Sequence, residues 1–248
     1  MIFETGMADN GDQIAWSREL WYVAPMETIY NISCTNCDPR RHSVFCLLKD
    51  EQLNYLKKHK ISYQLHKQDM IFREREQPRG LYCLFSGLVK IYKVSEDGKE
   101  QIVRLAKSGD IIGYRAFFSG EKYMASAQAL NDIVVCFIDR AGIEKLIIQS
   151  PEMIFNLLKK VCVELREAEE KFQSLMEKSV EARLANFLSL FLSESGHKKV
   201  HVPLSREEIA SLIGARSETV IRVLSGWKSQ GIIRTKAKSI TFLKQLPQ

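Results

Sequence analysis

The chain has 248 residues, 45% of them hydrophobic and 27% charged, with 6 prolines and 13 glycines, which is enough for one large domain or two of ordinary size. No apolar stretch approaches the roughly 18 residues of a membrane-spanning helix. Residues 1–30 lack the basic start and apolar block of a secretory leader, so the expected compartment is the cytoplasm, with no membrane partner. The net charge of +6 is unevenly placed: residues 197–248 carry ten Lys or Arg against Glu207, Glu208 and Glu218, while the preceding 196 residues are almost neutral. Such a tail suits a polyanion-binding module on a near-neutral body, or a solvated basic surface.

In chain order, residues 1–30 show no sustained periodicity and read as an extension, although Trp16 and Trp21 imply some packing and Met26 offers a second candidate start. Leu53 and Leu56 then mark a short amphipathic helix over about 50–59, with Asp50 as its expected N-cap. Between about 61 and 138, strand-like runs (81–92, 101–105, 125–130, 133–138) alternate with turn signals at Glu96-Asp97-Gly98-Lys99, Ser108-Gly109-Asp110 and Ser119-Gly120. Short strands at that spacing predict a small all-β barrel or sandwich.

The period then changes. Pro151 suits the first turn of a helix, and no glycine or proline follows until Gly196. Ile154, Leu158, Val161, Leu165, Ala168, Phe172 and Leu175 recur at alternating spacings of four and three, flanked by Glu164, Glu167, Glu169, Glu170 and Lys171. This is a coiled-coil seam and predicts a homodimer; a helix packed only on its own domain is the alternative. No acid lies on the seam, so the pair should form without a cofactor, and a signal would act by reorienting the domains that the helix joins.

A further helix is expected over 180–192, then a polar connection over 193–199. Ser205 with Glu208 forms a capping box for a helix that carries Ile209, Ala210, Leu212 and Ile213 and stops at Gly214. A second helix follows over about 217–229, with Val220, Val223, Leu224 and Trp227 inward, and ends at Gly231. Residues 232–234 and 239–242 read as a two-stranded wing. Helix, glycine turn, helix and hairpin together predict a winged helix-turn-helix. The expected organisation is an extension (1–33), a cysteine-bearing sensory β-domain (34–150), a dimerisation helix (151–178) and a DNA-binding domain (179–248), an α+β chain.

Short polar and basic groups at the exposed start of the second helix are what base edges require. Glu218 and Arg222 lie four residues apart, on one face. Glutamate can accept from a cytosine amino group and arginine can donate twice to guanine. The bland alternative is a surface ion pair; the motif and the local charge favour base reading by Ser217, Glu218 and Arg222. Ser205, Arg206, Arg216, Thr219, Lys228 and Lys236, with Lys198, Lys199 and Lys238, are the expected contacts to the backbone of double-stranded DNA.

These residues resemble the CRP/FNR regulators over about 34–242. The likeness rests on Ser-Gly-Asp-Ile-Ile-Gly (108–113), Ser126-Ala-Gln-Ala-Leu, the long helix and Gly214-Ala-Arg-Ser-Glu-Thr-Val-Ile-Arg222. It implies an N-terminal cyclic-nucleotide-binding-like β-roll, a long dimerisation helix and a C-terminal winged helix-turn-helix that reads half-sites with a TGA-like core, with RNA polymerase as a further partner. Glu218 and Arg222 match the family's base-reading pair; Ile221 stands where better-known members carry glycine or serine.

The resemblance also bears on the signal. Members that bind cyclic AMP carry Gly-Glu-Leu-Gly and then an Arg-Ser pair on the cyclic phosphate. Here Gly109-Asp110-Ile111-Ile112-Gly113 and Tyr123-Met124 stand in those places, with Arg115 off register, so a cyclic nucleotide is not the expected cofactor. In oxygen-sensing FNR proteins three N-terminal cysteines and one at the position of Cys136 hold a [4Fe–4S] cluster. By that resemblance Cys34, Cys37, Cys46 and Cys136 are the cluster candidates, with Cys83 in reserve. Zinc, thiol redox chemistry and plain burial of Cys83, Cys136 and Cys162 stay open.

Other function classes have less behind them. An iron–sulfur redox protein would need ligands compact in sequence, whereas these are scattered from Cys34 to Cys136. A nucleotide-binding effector would need the missing phosphate arginine. No nucleophile–base constellation, phosphate loop or paired acids appear, and the five histidines form no ligand cluster, so the chain is not expected to be an enzyme.

Overall fold

The computed structural model describes residues 32–195, 199–236, 239–244 and 246. The expectations placed on residues 1–31, among them Trp16, Trp21 and Met26, and on Lys198 and Lys238 lie outside those residues.

Helix α1 (Asp50–His59) buries Leu53 and Leu56. Its cap is Lys49, not the expected Asp50: the Lys49 N–H donates to Gln52 Oε1 at 2.7 Å, and Asp50 and Glu51 occupy the first turn, where the helix dipole favours acids. The strands are β1 (Lys60–Leu65), β2 (Met70–Phe72), β3 (Gly80–Ser86), β4 (Leu88–Val94), β5 (Glu100–Lys107), β6 (Ile111–Ile112), β7 (Ser126–Ala129) and β8 (Ile133–Asp139). They form two four-stranded sheets, ordered β1-β8-β3-β6 and β2-β7-β4-β5. Tyr63, Leu65, Phe72, Leu84, Val89, Ile112, Ala127 and Val135 fill the space between them.

The run 81–92 that reads as one strand is two. Gly87, at φ 93°, turns the corner between β3 and β4, and a Cβ there would lie 2.5 Å from Ile133 Cγ2 and 2.7 Å from the Asp132 carbonyl. The turn signal at Ser119-Gly120 ends the short helix α2 (Tyr114–Ser119), with Gly120 as its C-cap. Helix α3 (Arg140–Gln149) follows β8 without a break, its first turn capped by Asp139 Oδ1 accepting from the Gly142 N–H at 2.7 Å.

On the outer face of the first sheet, α1, α3 and the start of α4 (Glu152–Glu177) enclose a second core of Leu53, Leu81, Phe117, Ile138, Ile143, Leu146 and Met153. Past that core α4 is anchored by charge. Glu164, expected as a solvated flank of the seam, is 6% exposed. Its carboxylate accepts from Arg104 of β5 and the Tyr114 hydroxyl, from Arg115 Nη2 at 2.6 Å, and pairs with Lys160 at 3.2 Å. Lys160 in turn reaches Asp110 at 2.7 Å. Lys171, also read as a flank, directs its ammonium to the Ile102 and Val103 carbonyls. The adjoining seam residues Leu158, Val161, Leu165, Phe172 and Leu175 are exposed, Phe172 by 67%.

The C-terminal unit comprises α5 (Val180–Ser195), β9 (Lys199–His201), α6 (Arg206–Ile213), α7 (Ser217–Ser229), β10 (Ile233–Lys236) and β11 (Ser239–Phe242). The wing has three strands, ordered β10-β11-β9, because part of the polar connection pairs with β11. Trp227, 1% exposed, donates its indole N–H to Glu181 at 2.6 Å. Between α6 and α7, Gly214 takes a left-handed φ of 64°, and a Cβ there would meet Leu175 Cδ2 of α4 at 2.5 Å. The fold is thus a β-roll of cyclic-nucleotide-binding type, a long helix and a winged helix-turn-helix.

Two stability predictions follow from this packing. Burial alone would raise the pKa of Glu164, but Arg104, the hydrogen bonds from Tyr114 and Arg115, and Lys160 outweigh it and hold the carboxyl below its ordinary value of 4.5. Its stabilisation is therefore complete at neutral pH, begins to fall as the pH drops below 4.5, and is lost as the pH passes through the lower folded-state pKa. Glu164→Ala, which takes the carboxylate from the half-buried Arg104 and Lys160, should cost about 2–3 kcal/mol in urea unfolding at pH 7, and the deficit should shrink in acid. Gly214→Ala combines backbone strain with the Leu175 contact and should cost about 1–3 kcal/mol in the same assay; wild-type stability for either variant would contradict the packing described.

Candidate DNA-reading helix and thiol pocket

Helix α7 stands on a buried face of Val220, Leu224 and Trp227, with Val223 half-buried beside them. Helical spacing then sends Glu218, Ile221, Arg222 and Ser225 outward, and all four are exposed. Ser217 and Thr219 are half-buried and Arg216 is exposed at the N-cap. No salt bridge engages Glu218 or Arg222 among the described residues, so the bland ion-pair reading of this couple finds no support.

The groups expected on phosphates differ in freedom. Lys199, Lys228 and Lys236 are exposed, whereas Arg206 is half-buried, and that burial lowers its pKa. Ser205 is engaged in its capping box: its hydroxyl accepts from the Glu208 N–H at 3.1 Å, and Glu208 Oε2 accepts from the Ser205 N–H at 2.7 Å.

This unit is fastened to the β-roll. β5 is a sheet edge, with main-chain groups that need partners. Ser211 of α6 supplies them: its hydroxyl accepts from the Ile102 N–H at 2.7 Å and donates to the Glu100 carbonyl at 2.9 Å, while Gln101 donates to the Ser211 carbonyl. Leu130, Leu88 and Leu105 of the β-roll join the core of the C-terminal unit. Sequence patterning did not mark Ser211, because a serine on an amphipathic helix has no distinctive signal.

Four cysteines meet on the outer face of the first sheet. Cys83 and Cys136 are direct partners across β3 and β8. They line one cavity of about 50 Å³ with Cys34, Cys37, Arg40, Leu56 and Lys60. Arg40 holds the N-terminal segment over it by donating to the carbonyls of Cys34 at 2.9 Å, Phe45 at 3.2 Å and Cys46 at 3.3 Å. Cys46 itself does not line this cavity; its sulfur takes a contact from Asn156 Nδ2 of α4 at 3.5 Å. The reserve residue Cys83 stands in the place expected of Cys46. Cys162 is exposed on α4.

Burial raises the Cys34 thiol, with Lys60 partly opposing, and raises Cys37 as well. Cys83 lies well above its usual value, through burial first and then the neighbouring Cys136, Cys37 and Cys34. These sulfurs share a wall without converging on one point. Among the described residues no three His, Cys, Asp or Glu side chains are gathered closely enough for a metal ion, and the cavity of about 50 Å³ has the volume of only a few water molecules, far less than a four-iron cluster needs. As arranged, the cysteines do not fit the cluster implied by the family resemblance.

Nor is there a cyclic-phosphate cradle at Tyr123-Met124. The Tyr123 ring is 5% exposed and stacks on Phe72 with centroids 3.9 Å apart, filling the space beside Gly113. Arg115, the nearby cation, is committed to Glu164.

Comparison with known proteins agrees with this fold. Residues 63–150 match the cyclic nucleotide-binding domain and residues 182–246 the Crp-like helix-turn-helix domain. The fumarate and nitrate reduction regulatory protein of Vibrio cholerae is 28% identical over 218 residues, covering 86% of this chain and 87% of that protein. The anaerobic regulatory protein of Bacillus subtilis is 28% identical over 176 residues, 68% of this chain and 74% of its own. The structure of FixK2 from Bradyrhizobium japonicum superposes with a TM-score of 0.67 at 28% identity, covering 75% of this chain and 93% of that one. With both domains matched, and a helix-turn-helix built on these residues, the chain belongs to the CRP/FNR family and is a DNA-binding transcription regulator of that type.

Proposed function

We propose that the protein is a cytoplasmic homodimer that reads near-palindromic DNA, working with RNA polymerase, and that its input is the thiol pocket rather than a cyclic nucleotide. The observation that carries the DNA reading is the outward, unpaired Glu218 and Arg222 at the start of α7. Arg222 donates to guanine, Glu218 accepts from cytosine, and Ser217 lies beside them. Arg216, Thr219, Lys228 and Lys236 hold phosphates, with Ser205 and Arg206 at the start of α6. The homodimer is supported by the exposed seam of Leu158, Val161, Leu165, Phe172 and Leu175. Such an apolar stripe on a long helix meets its own copy about a two-fold axis.

The pocket serves as input because it lies between the N-terminal segment and the sheet. That sheet's neighbour carries β5, and β5 holds both Glu164 of α4 and Ser211 of α6. Thiol redox chemistry is the better-supported reading here, since the sulfurs line a small apolar space without forming a metal's ligand set.

On a duplex with inverted TGA-type half-sites, Arg222→Ala should weaken binding by about 1–3 kcal/mol, roughly five- to 150-fold, and should discriminate less at the contacted base pair. Lys236→Ala should instead weaken all duplexes alike and reduce the slope of log affinity against log salt by about one. Fluorescence anisotropy over a salt series reads both. An Arg222→Ala protein that binds the duplex as tightly as wild type would refute the assignment.

A further inference from the structure

We infer that Cys83 and Cys136 form a peroxide-responsive dithiol, a cross-strand pair on β3 and β8 that closes to a disulfide inside the pocket. The inference rests on the reading of this pocket as the regulator's input, and it requires no metal.

The register carries it. Arg140 N–H donates to the Arg79 carbonyl at 3.0 Å, and from there the partners run Gly80 with Asp139, Leu81 with Ile138, Tyr82 with Phe137 and Cys83 with Cys136. In an antiparallel ladder hydrogen-bonded and non-hydrogen-bonded pairs alternate, so Cys83 and Cys136 fall on a hydrogen-bonded pair with Cα atoms about 5.5 Å apart. A disulfide needs a Cα separation of roughly 4.4–6.8 Å. Directly opposed residues also point to the same face of a sheet, and both side chains line the same cavity. The two sulfurs can therefore join by side-chain rotation, without moving either strand. Cys34 and Cys37, the competing pair, belong to the separate segment held by Arg40.

The surroundings assign the roles. Lys60 Nζ lies 3.7 Å from the Cys136 sulfur and the Ser62 hydroxyl 3.3 Å from it, so a cation and a hydrogen-bonding group sit at the sulfur that must bear negative charge during attack. Cys83 has no such cation at contact distance among the described residues. Cys136 accordingly attacks first. Its sulfur displaces one oxygen of hydrogen peroxide; the O–O bond breaks, the thiol proton leaves with the departing oxygen as water, and the sulfur becomes a sulfenic acid. The Cys83 sulfur then attacks the Cys136 sulfur. The S–O bond breaks, an S–S bond forms, and the hydroxyl leaves with the Cys83 proton as a second water. Both sulfurs are oxidised and the peroxide is reduced. A small dithiol reverses the change by thiol–disulfide exchange.

The test uses the full chain, reduced and freed of metal, treated with one equivalent of hydrogen peroxide per chain. Remaining thiols are alkylated, and the protein is digested without reductant for mass spectrometry. The chain has six cysteines, all free in the described structure. Two should be lost, joined in a peptide linking Cys83 to Cys136, and restored by dithiothreitol. Cys83→Ser should instead leave a sulfenic acid on Cys136 that dimedone traps. A bridge from Cys136 to Cys34 or Cys37, a bridge confined to Cys34 and Cys37, or a wild-type protein with all six cysteines still alkylated would overturn the inference, and none of these needs the variant to fold. DNA affinity measured on the same samples separates the two readings: a Cys83–Cys136 bridge that leaves affinity unchanged supports the dithiol and removes the pocket's role as input.

Discussion

A buried carboxylate organises this molecule. Glu164 projects from the middle of a long helix into the β-roll and is met there by Arg104, Tyr114, Arg115 and Lys160. An unpaired charge in that position would be prohibitive, so the helix has one rotational setting in which its acid is satisfied. That setting leaves the adjoining stripe, from Leu158 to Leu175, in solvent. The same strand that supplies Arg104 also receives Ser211 from the DNA-binding unit. One short stretch of β5 thus sets the helix, and with it the face offered to a partner, and seats the helix-turn-helix.

Much of this was legible from residue order alone. The helix-turn-helix could be read because its chemistry is local: a capping box at Ser205 and Glu208, a left-handed glycine at 214, and a 3.6-residue apolar period that places Glu218 and Arg222 outward. The long helix was legible for the same reason. What escaped were contacts between distant segments. Glu164 looks like any acid on a charged helix flank, and only the fold brings Arg104 and Arg115 to it. Short elements were lost where one residue served two purposes, as Asp139 ends β8 and caps α3. The strand β9 escaped at the end of a polar connection, because it buries a single side chain, Val200, against β11.

The cysteines show the same limit. Their spacing and the family likeness pointed to Cys46, which the chain turns toward Asn156, while Cys83 reaches the pocket through strand register. Register is a property of pairing across the sheet, and no local pattern in β3 declares its partner. The consequence is chemical. A set of N-terminal thiols plus one strand thiol suits a bound metal centre; two strand thiols facing one another suit reversible oxidation. In the proposed regulator that oxidation would act on the sheet packed beneath α1 and α4, and so on the frame in which α4 and the reading helix are set.

The central claim is that satisfying Glu164 leaves an apolar seam whose natural occupant is a second copy of the chain, before any signal arrives. Sedimentation equilibrium of the reduced, metal-free full chain at micromolar concentration tests this most directly. The account predicts a dimer; a monomer under those conditions would contradict it.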